Sequence, residues 1–134
     1  MSAFIFEVGN THFVDFQISI EDQIAFSDLS GDTNPIHLDS AHARKHGFDK
    51  PVVYGGLMIA KLSQIVGMQF PGTLGMWTDV SMNFRRPLLI GERACISAEI
   101  TQKSEATKTL VIAVVVRSEG EVIAKGRSLV TLFE

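Results

Sequence analysis

A carboxylate and an imidazole stand five positions apart in this chain, at Asp32 and His37. Pro35 keeps Asn34 out of the helical region, and asparagine itself favours turns, so a regular helix cannot connect the two groups. A carboxylate beside an imidazole can orient its tautomer, raise its basicity and hold a water molecule between them. The spacing suits general acid–base chemistry, although the same residues also suit an ordinary turn with His37 at the surface.

A second feature is the sequence Tyr54-Gly55-Gly56 at the start of a predicted helix. Backbone N–H groups in the first turn of a helix have no partner within the helix, and two glycines leave no side chain in front of them. Such groups can stabilise a developing negative charge, as an oxyanion hole does. The alternative is a tight loop-to-helix turn without a chemical role.

The helix that follows is predicted from Gly55 to Gln69, and it is apolar nearly all round, which favours a buried helix. One side carries only small residues, which would let a strand, a second helix or a thin ligand approach closely. Ser63 is the polar residue on this side and needs a hydrogen-bond partner in an apolar setting. This side consists of Gly56, Ala60, Ser63 and Gly67.

Other polar residues give weaker indications. Arg85 and Arg86 end a predicted strand and could contact phosphate groups or only water. His42 and His46 have the i, i+4 spacing of metal ligands on a helix, but no third ligand is evident, so no metal site is predicted. Cys95 is the single cysteine, which excludes an internal disulfide and a zinc site built from cysteines.

Hydrophobic patterning and turn residues indicate the elements that must position these groups. A strand is predicted over Phe13 to Ile20, followed by a short helix opened by Ser19 or Glu21. The stripe of this helix that would be buried is Ile24, Ala25 and Leu29. A second short helix runs from about Ser40 to His46, and four strands lie around Thr78 to Arg86 and over residues 94–100, 110–116 and 122–132.

These elements predict an α+β fold, in which an antiparallel sheet of about five strands wraps around one buried helix. The sequence Glu119-Gly120-Glu121 marks a hairpin turn between the last two strands. No linker or repeat divides the chain, so residues 1–134 are predicted to form a single domain. A sheet this small has uncovered edges, and pairing with a second copy is a natural way to cover one.

Composition narrows the classes of function. The chain has 134 residues, of which 46% are hydrophobic and 20% charged, as in an ordinary globular domain. A net charge of −3 provides no basic field for nucleic acid. The sequence contains neither a signal peptide pattern nor an apolar run of about 18 residues, so no membrane partner is predicted. The lone cysteine favours the cytoplasm.

Two segments of the chain, DTNPIH at residues 32–37 and KPVVYGGL at residues 50–57, resemble the signature of the MaoC-like (R)-specific enoyl-CoA hydratases. The resemblance covers nearly the whole chain. It implies a hot-dog fold, in which an antiparallel sheet wraps around a long central helix. The length is similar to that of the short bacterial members that feed polyhydroxyalkanoate synthesis.

The resemblance also implies roles for individual residues. Asp32 and His37 match the catalytic dyad of the family, and Gly55 matches the residue whose backbone N–H polarises the thioester carbonyl. Asn34 matches a residue that helps shape the site, and Ser63 matches a serine that supports the dyad.

The chain departs from the family on both sides of Gly55. Tyr54 stands where the family usually has a histidine, and Gly56 stands where a bulky residue is usual. We therefore expect added room beside Gly56, a differently shaped acyl group or carrier, and unchanged dyad chemistry. Gly56 would share the oxyanion role, while Tyr54, Arg85 and Arg86 would contact the substrate.

The function implied is reversible hydration of trans-2-enoyl thioesters to (R)-3-hydroxyacyl thioesters, as in fatty acid metabolism. The resemblance further implies a homodimer with a tunnel for the pantetheine arm, a substrate carried on coenzyme A or acyl carrier protein, and no other cofactor. Two alternatives stay open. One is a hot-dog acyl thioesterase, although the central helix carries no acidic residue between Gly55 and Gln69. The other is a non-catalytic module that binds acyl thioesters.

Overall fold

The computed structural model describes residues 5–133. Within this range five strands form one antiparallel sheet, and three α-helices lie between the first strand and the second. The strands are β1 (Thr11–Phe16), β2 (Gly75–Phe84), β3 (Ala94–Ser104), β4 (Thr109–Ser118) and β5 (Glu121–Leu132), and the helices are α1 (Ile20–Ser30), α2 (Ser40–Lys45) and α3 (Gly55–Met68). Two 3₁₀ turns, Pro35–His37 and Gly72–Leu74, complete the order.

The strands follow the spatial order β1-β3-β4-β5-β2, so β1 and β2 are the edges of the sheet. Alternate residues of β3 and β4 are buried, as expected for strands with one face on the core. The β4–β5 hairpin turns at Glu119 and Gly120, whose φ angles of 54° and 74° are typical of the two-residue turn that matches strand twist. The predicted hairpin turn is therefore confirmed.

The core lies between the sheet and one side of α3. Met58, Leu62, Ile65 and Val66 of this helix are buried, and α3 contacts β1, β2 and β3. This arrangement confirms the α+β hot-dog fold, with the antiparallel sheet wrapped around the long helix. Among the described residues, no helix is both long and apolar enough to cross a membrane.

The prediction that α3 is buried nearly all round is wrong for the single chain. The side that carries the small residues is largely exposed, including Ala60, Ser63 and Gly67, and Met68 beside it is 72% exposed. The reason is geometric, because the sheet covers only one side of the helix. Ser63 therefore faces solvent in the single chain and does not need a buried partner.

The predicted inner stripe of α1 is also wrong. Ile24 and Leu29 are 49% and 86% exposed, whereas Gln23 and Ser27 are buried. Ser19 caps this helix through its side chain, in a capping box with Asp22. The polar face lies inward because backbone groups of neighbouring loops require hydrogen-bond partners there, as the contacts of Gln23 below demonstrate.

The remaining boundaries are close to the predictions. β1 lies over Thr11–Phe16 and ends before the predicted Ile20, because the chain must reach the Ser19 cap of α1. β2 begins at Gly75 and ends at Phe84, two residues short of Arg86. α2 matches its prediction, with Asp39 as its capping residue.

Candidate active site

The loop between α1 and the first 3₁₀ turn is held by local hydrogen bonds. The Asp32 carboxylate accepts a hydrogen bond from the backbone N–H of Asn34 at 3.1 Å, and the Asn34 side-chain oxygen caps the turn by accepting from the N–H of Ile36 at 3.0 Å. These are the Asx contacts expected of the sequence. Asp32 itself is exposed.

His37 ends this 3₁₀ turn and is half-buried. Its Nδ1 atom lies 2.6 Å from the carbonyl oxygen of Val52. Because a carbonyl oxygen can only accept, Nδ1 must carry the proton in this contact. The other ring nitrogen, Nε2, is then the one that has a free lone pair when the imidazole is neutral.

Tyr54 contacts both Asp32 and His37. Its ring stacks on that of His37 with 3.9 Å between centroids and 26° between planes. Its hydroxyl donates a hydrogen bond to the backbone carbonyl of Asp32. The side chain is only 2% exposed, so it lies behind His37 in the interior rather than at an open surface. This placement favours a positioning role over the predicted contact with substrate.

Gln23 is a site residue that no sequence pattern indicates. Its side-chain amide is fully buried and contacts the backbone of His37, Val52 and Tyr54. The residue lies far along the chain from these partners. A glutamine within a helix is no signal by itself, and only the fold brings the partners together.

The first turn of α3 has unpaired backbone donors. Tyr54 precedes the helix without a side-chain cap, and in residues 5–133 no hydrogen bond involves the N–H of Gly55 or Gly56. An aromatic ring covers each glycine: a Cβ at Gly55 would lie 2.9 Å from Cζ of Phe84, and one at Gly56 would lie 2.5 Å from Cζ of Phe26. The expected room beside Gly56 is therefore absent, because Phe26 fills it.

A cavity of about 320 Å³ brings several of the predicted site residues together. His37 and Gly55 line it together with Arg85 and Arg86. The other lining residues are Val52, Val53, Met58, Phe84, Pro87 and Leu88. Arg86 forms ion pairs with Glu92 at 3.7 Å and Glu121 at 3.3 Å, whereas Arg85 is exposed.

Asp32, Asn34, Gly56 and Ser63 are not part of this lining. Within the part of the chain that the structure describes, the side chains of Asp32 and His37 make no hydrogen bond or ion pair with each other. Ser63 likewise makes no hydrogen bond to either residue there, and its supporting role stays a prediction.

The other candidate residues lie elsewhere. The rings of His42 and His46 lie 4.7 Å apart at α2, but the described residues contain no group of three or more metal-ligating side chains. A larger cavity, of about 630 Å³, is lined by ends of β1, β3 and β4 and includes Asp15, Cys95 and Arg117. Burial raises the pKa of the Cys95 thiol, and a hydrogen bond to Asp15 raises it further, so the thiol is held in its unreactive form.

Comparisons with known proteins find a family model and several proteins to which this chain is similar. The family model for the MaoC like domain matches residues 10–122. The (R)-specific enoyl-CoA hydratase of Aeromonas caviae is 30% identical over 133 residues, covering 98% of this chain and 99% of that protein. The 3-hydroxybutyryl-CoA dehydratase of Methylorubrum extorquens is 28% identical over 124 residues, covering 92% of this chain and 79% of that protein.

A solved structure, the (R)-hydratase from A. caviae involved in PHA biosynthesis, superposes with a TM-score of 0.91 at 28% identity. The superposition covers 95% of this chain and 97% of that one.

Proposed function

Because the chain belongs to the MaoC-like domain family and is an enzyme of the hydratase and dehydratase class, we propose that it reversibly hydrates trans-2-enoyl thioesters to (R)-3-hydroxyacyl thioesters. The observation that carries the proposal is the cavity that His37 and Gly55 line together. An imidazole and one residue with an unpaired backbone N–H border this space. Hydration of an enoyl thioester needs both kinds of group.

His37 is the proposed base. With Nδ1 donating to the Val52 carbonyl, the Nε2 lone pair can take a proton from water. The oxygen of that water forms a bond to C3 of the substrate as the C2–C3 π bond breaks. The electron pair moves through C2 to the thioester oxygen and gives an enolate.

Asp32 is the proposed partner of this histidine. Since the two side chains make no hydrogen bond or ion pair with each other in the described part of the chain, we assign a bridging water molecule between them, and Asn34 and Tyr54 hold the loop that carries the carboxylate. The dyad returns one proton to C2, which completes the addition of hydrogen at C2 and hydroxyl at C3. Which member handles which proton depends on the coupled pair.

The N–H groups of Gly55 and Gly56 are the proposed donors to the enolate oxygen. They lie at the N-terminus of α3, where the aligned peptide dipoles also favour negative charge. Gly55 lines the cavity and has no side chain of its own in front of its N–H.

Coenzyme A is the proposed carrier, because the two relatives described above are named for coenzyme A substrates. The exposed guanidinium of Arg85 can contact its phosphates. Crotonyl and octenoyl groups on coenzyme A and on acyl carrier protein test the choice of carrier, and faster turnover of the acyl carrier protein thioesters contradicts it.

Coenzyme A thioesters and the free thiol of Cys95 both fit a reducing cytoplasm, where we place the reaction.

The decisive experiment follows the loss of enoyl absorbance with crotonyl-CoA. We expect His37→Ala and Asp32→Asn each to lower turnover by roughly 10²- to 10⁴-fold, as for general acid–base groups, with unchanged thermal unfolding. His42→Ala is the control, a histidine of α2 outside the cavity. Near wild-type turnover in either dyad variant rejects the mechanism. Release of free thiol without loss of the enoyl group indicates a thioesterase, and binding without turnover indicates a non-catalytic module.

The stereochemistry is tested separately. The proposal specifies the (R) product, and it rests on the (R)-specific relative that spans almost the whole chain. Chiral chromatography of the hydration product checks it. A predominantly (S) product refutes this part of the proposal while leaving the reaction type intact.

A homodimer is the proposed assembly. Among residues 5–133 no strand lies beside the outer edge of β2, and Met76, Val80 and Phe84 of that strand are 56%, 38% and 45% exposed. An exposed apolar edge strand readily pairs with another chain. We expect light scattering to give a dimer mass at micromolar concentration and Val80→Lys to give a monomer, with Leu29→Lys on α1 as the control. A monomeric wild type contradicts the proposal.

A further inference from the structure

Both the nitrogen and the oxygen of the buried Gln23 amide form hydrogen bonds. Nε2 donates to the carbonyl oxygens of His37 at 2.7 Å and Val52 at 2.9 Å, and Oε1 accepts from the N–H of Tyr54 at 3.2 Å. The side chain is 0% exposed. Two carbonyls on one side and an N–H on the other fix the orientation of the amide, because the flipped form would place its oxygen against both carbonyls.

Each partner of Gln23 determines where the imidazole of His37 lies. The first contact fixes the backbone of His37. The second fixes the Val52 carbonyl, which is also the acceptor for Nδ1 of the histidine at 2.6 Å. The third fixes the backbone of Tyr54, whose ring stacks on the imidazole. The Gln23 side chain therefore holds the backbone of His37, the carbonyl that accepts from the imidazole, and the residue that stacks on it.

Hydrogen bonding to backbone groups, and not packing, explains a glutamine at this position. The helix leaves Ile24 and Leu29 exposed while it buries Gln23 and Ser27. An apolar side chain of the same volume would leave the carbonyls of His37 and Val52 and the N–H of Tyr54 without the partner that the amide provides. The amide is useful because it connects three backbone groups from two separate segments.

We propose that Gln23 is a positioning residue, which holds His37 in its Nδ1-protonated form with Nε2 available to the cavity. The inference rests on the proposed function, because it assigns Gln23 to the base of that reaction. The tautomer and orientation of the imidazole are nevertheless properties of the free protein, so they can be measured without substrate.

The main variant is Gln23→Met, which keeps the volume and removes all three hydrogen bonds. We expect kcat for crotonyl-CoA to fall about 10- to 100-fold, because misplacement of a reacting group has a large kinetic cost, while KM stays nearly constant. Nitrogen NMR of the imidazole should change from the Nδ1-protonated tautomer to a mixture of both tautomers. Ser27→Ala is the matched control, buried on the same face one turn later, and should change neither readout.

Gln23→Glu tests the donor function directly and serves if the methionine variant fails to fold. The introduced carboxyl faces the carbonyls of His37 and Val52, and it can donate to one of them only while protonated. The titratable side chains of the segments that Gln23 bonds are His37 and Tyr54. Relative to wild type at the same pH, turnover of this variant should recover as the pH falls. A purely structural role does not predict that recovery.

The outcomes separate the two proposals. If His37→Ala retains turnover, the proposed function fails, and the NMR result still decides the role of Gln23. If Gln23→Met keeps both wild-type kcat and the Nδ1-protonated tautomer, the inference is overturned whatever the reaction. If Gln23→Met does not fold, a flat ratio of Gln23→Glu to wild-type turnover across the pH range overturns it.

Discussion

The two walls of the cavity are held in place by different kinds of interaction. The inner wall, formed by His37, Val52 and Val53, is fixed by buried hydrogen bonds: Gln23 bonds to two of its carbonyls, and the N–H of Val53 donates to Leu88 at 2.7 Å. The outer wall consists of residues 84–87, that is, the last residue of the exposed edge strand β2 and the three residues after it.

The outer wall has fewer constraints. Its backbone is tied to Ile123 through the N–H groups of Arg85 and Arg86, and Arg86 adds two partly exposed ion pairs. Phe84 is 45% exposed. The difference indicates that the two walls have different roles. The inner wall is preorganised for proton transfer, and the outer wall can adjust to the shape of the acyl chain and carrier.

The largest effect is expected from a change that presses on the back of the inner wall. In Gly56→Ala the new methyl group collides with Phe26, whose ring lies 4.7 Å from that of Tyr54, and Tyr54 in turn stacks on His37. Overpacking of this kind costs about 1–3 kcal/mol, more than alanine gains in a helix. We expect a lower Tm and an equal loss of turnover on crotonyl-CoA and octenoyl-CoA.

The double variant Phe26→Leu with Gly56→Ala is the control for this prediction. The smaller side chain leaves room for the new methyl group, so unfolding and turnover should return toward wild type, and a double-mutant cycle measures the coupling. A loss confined to long acyl chains would instead mean that Gly56 borders the acyl pocket.

A moderate effect is expected from Phe84→Ala on the outer wall. The variant removes apolar surface from the cavity lining but leaves the contacts of His37 unchanged. We expect KM for octenoyl-CoA to rise about tenfold, as for partial loss of an aromatic contact, with kcat retained. Phe13→Ala, on the opposite edge strand β1, is the control. A large fall in kcat would show that the outer wall also positions the reacting groups.

A smaller effect distinguishes the two arginines. Arg85 has no ion pair within residues 5–133, whereas Arg86 is paired with Glu92 and Glu121. We expect Arg85→Ala to raise KM for crotonyl-CoA several-fold at low salt and less at high salt, since exposed charges are screened. Arg86→Ala should mainly lower Tm, and by little, because partly exposed pairs contribute about 0–1 kcal/mol. An increase in the KM of Arg85→Ala over wild type that is the same at low and high salt would contradict the proposed role of Arg85 in phosphate binding.

The difference between local pattern and contacts distant in sequence explains which features could be predicted from the sequence. β3 alternates in hydrophobicity and residues 110–116 of β4 form an unbroken apolar run, so these strands and the turn at Glu119-Gly120 were predictable from local pattern. The motifs also predicted that His37 and Gly55 belong to one site. Local pattern could not identify the inward face of α1, because Gln23 is buried by hydrogen bonds to residues distant in sequence. Nor could it predict that Phe26 occupies the space that Gly56 leaves.

The smallest effect is expected at Cys95, which lies in the larger cavity and away from both walls. Burial and the neighbouring Asp15 raise the pKa of this thiol, so the thiolate fraction at neutral pH is below that of an ordinary thiol. Iodoacetamide should therefore modify it more slowly than it modifies glutathione, and the rate should rise with pH. Turnover of the alkylated protein and of Cys95→Ala should match wild type in parallel assays. A loss of turnover in both would connect the larger cavity to the reaction. It would contradict the assignment of catalysis to the smaller cavity, which His37 and Phe84 line.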